Sequence, residues 1–77
     1  MILETISVNG KHRYCIFETH KGKKTNLIAY YDSLEQAAMV MRYIKGAPMQ
    51  PKDQQTALRF IFEWDAMETM KMTESIQ

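Results

Sequence analysis

A chain of 77 residues has room for one domain with a thin core, because a domain of that size buries only roughly 60% of the surface its unfolded chain exposes. Hydrophobic residues at 45% and charged ones at 25% exclude global disorder, and a net charge of +1 is too balanced to name a partner. The charge is uneven, however. Residues 1–50 hold seven cations against four acids, and residues 51–77 hold three against five. A basic front and an acidic tail can steer an anionic partner even at near-zero net charge.

The stretch ISVNGKHRYCIF predicts a β-hairpin. Asn9-Gly10 stands between β-rich runs, and both residues accept the positive φ of a tight two-residue turn. Arg13–Thr19 and Thr25–Tyr31 repeat the pattern around Lys21-Gly22-Lys23-Lys24, read as a four-residue loop. Three antiparallel strands in a meander are expected near 2–8, 12–19 and 25–31.

At Asp32 the period changes. Ser33 with Gln36 three residues later forms a capping-box pattern, and Leu34, Ala37, Ala38, Met41 and Ile44 follow at helical spacing. Gly46 and Pro48 end a helix of about 34–45. Pro51 suits the first position of a second helix, with Asp53 in its first turn. Over 54–65 the pattern is divided. Ala57, Leu58, Ile61, Phe62 and Trp64 share a helical face, yet Leu58, Phe60, Phe62 and Trp64 also alternate as a strand does. Helix is favoured, because no turn signal interrupts Gln54–Met72. The expected architecture is α+β in the order βββαα, a strand over 54–65 being the alternative. One domain over 1–72 and a frayed tail over 73–77 complete the expectation.

Strand alternation decides which side chains act together. The Asn9-Gly10 turn pairs Ile6 with Arg13 and Thr5 with Tyr14. One sheet face then carries Ile6, Val8, Cys15 and Phe17, and is expected to receive the first helix. The other carries Leu3, Thr5, Ser7, His12, Tyr14 and Ile16, with Tyr31 opposite Tyr14 and Phe17 facing Ile28. If that face is open, Tyr14 and Tyr31 can stack bases with His12 beside them in the nucleic-acid-binding set, while Lys11, Arg13, Lys21, Lys23 and Lys24 contact phosphates. Alternatively the sheet enters a major groove with Arg13 reading a base edge.

The stretch YCIFETHKGKKTNLIAYYDSLEQAA, residues 14–38, resembles the strands and helix start of AP2-type and integrase arm-type DNA-binding domains. Those also run strand, basic turn, strand, then an aromatic-to-Ser/Thr step into an Ala-rich helix. The resemblance covers about a third of the chain and implies a DNA-contacting sheet. The chain departs from it after Ala38.

No enzyme motif appears, and a non-enzymatic protein without cofactor or metal is expected. Gly10, Gly22 and Gly46 stand alone, each with a turn or cap role, so there is no phosphate-cradling loop. Cys15, the single cysteine, reads as a core thiol. His12 and His20 lie more than about 20 Å apart along one strand and cannot share a metal. Six methionines follow the first residue; Met67 and Met70 lie one helical turn apart and, with Trp64, form a candidate protein-docking stripe. The expected function is therefore nucleic-acid binding by a small cytoplasmic regulatory protein. The alternative is a protein-interaction module, of phage or mobile-element accessory or inhibitor type, docking through Trp64, Met67 and Met70. Either could act as a homodimer. With one cysteine, no signal-peptide pattern and no run of about 18 apolar residues, neither secretion nor a membrane span is expected.

Overall fold

Both hairpins close with two left-handed residues. Asn9 and Gly10 have φ of 52° and 78°, and Lys21 and Gly22 have φ of 53° and 79°, the backbone a two-residue turn needs between twisted strands. These turns join β1 (Ile2–Val8), β2 (Lys11–His20) and β3 (Lys23–Tyr31) into an antiparallel sheet of order β1-β2-β3. The structure, a computed structural model, describes the backbone of residues 1–76 and the side chains of residues 1–70. The expected fraying of 73–77 falls on side chains outside that range, and Gln77 lies outside it altogether.

The second turn is shorter than its four-residue expectation. Lys23 and Lys24 belong to β3, opposite His20 and Thr19. Two irregularities, between Ile16 and Phe17 and between Phe17 and Thr19, then each shift the register by a residue. The expected pairing of Tyr14 with Tyr31 is thereby recovered, while Phe17 meets Leu27 in place of Ile28.

Helix α1 (Leu34–Ile44) starts from an extended Ser33 at φ −119° and ψ 131°. The Ser33 carbonyl accepts the Ala37 N–H at 3.1 Å, but its side chain makes no cap hydrogen bond, so the capping box does not form. At the other end Gly46 is left-handed at φ 74°. There Ala47 N–H donates to the Arg42 carbonyl and Gly46 N–H to that of Tyr43, both at 3.1 Å, satisfying two terminal carbonyls. Helix α2 (Pro51–Ile76) begins at the proline, so residues 54–65 are helix. At about 1.5 Å per residue it is about 39 Å long, close to the 42 Å long axis of the molecule. The radius of gyration, 13.5 Å, exceeds the roughly 11.5 Å of a globule this size.

The helices lie on the sheet face that was expected to be open. Ile16, Ala37 and Val40 are fully buried together, with Leu3, Tyr14, Ile28, Tyr31, Met41, Phe60 and Ile61 packed around them. The physical reason lies in the residues that share the other face. Pairing places Glu4 beside Cys15, Arg13 beside Ile6 and Lys11 beside Val8, and Lys24 joins them from β3. A helix over that face would strip water from four charges, each costly to bury. The Leu3–Ile16 face brings no charge under α1, and each large aliphatic side chain buried there contributes about 1.5–3 kcal/mol.

Candidate functional site

The uncovered face is built by all three strands. β1 presents Ile2, Glu4, Ile6 and Val8; β2 presents Lys11, Arg13, Cys15 and Phe17; β3 adds Lys24, Leu27 and Tyr30. Lys24, Glu4 and Arg13 are anchored on neighbours. Lys24 Nζ lies 2.6 Å from Glu4 Oε2 and 5.0 Å from the centre of the Phe17 ring. The Arg13 guanidinium stacks over Tyr30 at 4.7 Å, a cation–π contact that fixes its direction. Beneath them Cys15 is only 5% exposed. Burial pushes its thiol pKa up, against the opposing pull of Arg13, so Cys15 is a packing residue with little thiolate character.

The sequence-derived site residues divide into three groups. Lys11, Arg13 and Lys24 come together on this face. Lys21 and Lys23 stand exposed at the tip of the β2–β3 hairpin, and His12 is exposed near the far end of β2. Tyr14 and Tyr31 are withdrawn as stacking platforms, since both pack on the core beneath the helices. The Tyr31 hydroxyl donates to the Phe60 carbonyl at 3.1 Å, and its ring packs against Phe60 and Trp64.

Trp64 is likewise withdrawn as a docking residue. Its ring meets Tyr30 edge-on at 4.5 Å, closing the end of the sheet against α2. Met67 and Met70 remain more than half exposed. A cleft of about 180 Å³ lies beside Trp64, bordered by Tyr30, Tyr31, Asp32 and Glu63. Its aromatic and acidic lining suits a cation and repels phosphate. Sequence reasoning missed Glu4, Tyr30 and Leu27 as members of the open face, although the alternation that selected Ile6 and Phe17 also reaches Glu4.

Tyr31 gives the helix-over-tyrosine packing a pH signature. Burial, with Asp65 and Glu63 nearby, raises its pKa from 10.0 to about 12. The folded state holds the phenol proton more tightly than the unfolded state. The associated stability is therefore complete below pH 10 and lost as pH rises through 12. Denaturation midpoints measured across that window are expected to fall more steeply for the native chain than for Tyr31→Phe. Equal slopes would mean that the hydroxyl is not held as described.

Charge is segregated by layer. The sheet segment, 1–31, carries Lys11, Arg13, Lys21, Lys23 and Lys24 against Glu4 and Glu18, a net +3. The remaining residues hold five cations against seven acids, a net −2. The basic front and acidic tail of the sequence thus become a basic sheet layer and an acidic helical layer. Among the described residues, no three His, Cys, Asp or Glu side chains converge as metal ligands, and no helix is long and apolar enough to cross a membrane. Comparison of the chain with protein-family models, with curated proteins and with solved structures gives no match.

Proposed function

We propose that the protein binds duplex nucleic acid with the open face of its sheet. The observation that carries the proposal is the charge layering: the surplus of cations lies in the layer whose outer face no helix covers. A three-stranded antiparallel sheet is thin enough to lie in a major groove. Arg13, held near mid-sheet by Tyr30, is the candidate to read a guanine edge. Lys11 at one end and Lys21 in the turn at the other are separated by the length of β2, about 30 Å at 3.3 Å per residue, and can reach phosphates on both sides of the groove. Lys24 has to exchange Glu4 for a phosphate, which lowers its net contribution. Ile6 and Phe17 offer apolar contact to thymine methyl groups. The resemblance of residues 14–38 to sheet-based DNA-binding domains points the same way. Base stacking on Tyr14 and Tyr31 forms no part of this reading.

The test is a salt series on a duplex of about 20 base pairs, the length of roughly two helical turns. Log affinity is expected to fall linearly with log salt, with a slope of about −2 to −4 for two to four neutralised phosphates. Arg13→Ala is expected to cost about 1–3 kcal/mol and to relax sequence preference, whereas Lys11→Ala reduces the slope by about one. Absence of binding at about 50 mM salt, or binding indifferent to salt, contradicts the proposal.

A further inference from the structure

Helix α2 has two apolar faces, and the domain uses one of them. Ala57, Phe60, Ile61 and Trp64 turn inward: Ala57 is buried, Phe60 and Ile61 touch the core, and Trp64 meets Tyr30 and Tyr31. On the opposite side Leu58, Phe62, Ala66 and Met70 follow at intervals of four, a continuous ridge along one helix face. Phe62 is 66% exposed and Met70 64%, and Leu58, Phe62 and Ala66 border one shallow apolar surface. An aromatic ring this exposed at the middle of a ridge is unlike the scattered apolar residues of ordinary surfaces.

We propose that this ridge is a homodimer interface in which α2 packs antiparallel against α2 of a second copy. Charge selects that occupant. Arg59 and Glu63 flank the ridge on the same side, within 3.7 Å of each other. Reversing a second helix about the Phe62 region sets Arg59 beside Glu63 of the second copy, and Glu63 beside Arg59 of the second copy. The rest of the helix agrees. Residues 51–59 carry Lys52 and Arg59 against Asp53, while 60–70 carry Glu63, Asp65 and Glu68. Antiparallel copies match opposite charges and opposed helix dipoles, and parallel copies oppose like charges. One patch that complements itself is what a twofold dimer requires. Leu58 then falls near Ala66 of the second copy, a large residue against a small one.

The ridge lies on the helical layer, facing away from the sheet, so dimerisation leaves the proposed nucleic-acid face free.

Sedimentation of the full chain without nucleic acid, over about 1–100 µM, tests the proposal. The native chain is expected to sediment as a dimer. Phe62→Glu is expected to weaken association at least about 100-fold with an unchanged far-UV circular dichroism spectrum, because Phe62 takes no part in the core. Arg59→Glu weakens the dimer, and the double reversal Arg59→Glu with Glu63→Arg restores it. A monomer across the whole range, or a dimer indifferent to Phe62→Glu, overturns the proposal, and a double reversal that restores nothing overturns the antiparallel arrangement. Arg13→Ala leaves the dimer intact, so failure here is distinct from failure of nucleic-acid binding.

Discussion

Ile16→Ala is expected to destabilise the protein by about 2–5 kcal/mol, the range for an aliphatic side chain truncated in a closed core. Ile16 and Val40 are the largest fully buried side chains among the described residues, and Ala37 beside them is too small to fill the space left. A domain of this length has about 4–12 kcal/mol of stability in all, so the variant loses a large share of it. Ile6, on the opposite face and 37% exposed, supplies the contrast: Ile6→Ala is expected to cost less than about 1 kcal/mol. Urea denaturation followed by circular dichroism measures both. Equal losses would mean that the two faces of the sheet are not covered as described.

The second large effect is expected at Trp64. Its ring holds Tyr30 edge-on and lies 6.4 Å from Tyr31, so it joins the end of β3 to α2. Each aromatic contact contributes about 0.5–1.5 kcal/mol beyond the area it buries, and Trp64 is only half-buried. Trp64→Ala is accordingly expected to lower stability by about 2–3 kcal/mol, somewhat below the range for a tryptophan lost from a full core. The same urea series checks this value. A Trp64→Ala variant with native stability would return Trp64 to the role of a docking residue. The effect also reaches the open face, since Tyr30 is the surface on which Arg13 stacks.

The elements were legible in the sequence because their signals are local. Asn9-Gly10 sets the first turn, Pro51 opens α2, and Gly46 closes α1 through hydrogen bonds that a glycine there permits. The pairing of Tyr14 with Tyr31 was legible for a different reason from the one that produces it. The sequence offers four turn residues, and the chain uses two and inserts two irregularities in β3. Hydrophobic pattern does not announce such irregularities, because a bulged residue changes spacing and leaves composition untouched.

The face of the sheet was misjudged by counting apolar residues alone. Ile6, Val8, Cys15 and Phe17 look like a core until Glu4, Lys11, Arg13 and Lys24 are placed among them. Burial is decided by the most expensive group on a face, more than by its apolar members. The divided pattern of residues 54–65 has an equally physical origin. A helix apolar on two sides, at 57, 60, 61 and 64 and again at 58, 62 and 66, leaves Leu58, Phe60, Phe62 and Trp64 alternating like a strand. The candidate site inherits both outcomes. Its cations on the open face, Lys11, Arg13 and Lys24, belong to the basic set read from the sheet segment, and its aromatic members are Phe17 and Tyr30 in place of Tyr14 and Tyr31.

All of this rests on α1 and α2 covering the Leu3–Ile16 side of the sheet and leaving the Arg13–Phe17 side open. A methyl-resolved NOE map of the protein tests that arrangement most directly. Cross-peaks from the Ala37 and Val40 methyl groups to Ile16 and Leu3 are the predicted result. Cross-peaks from those methyl groups to Ile6 and Phe17 would contradict it, and with it the open basic face.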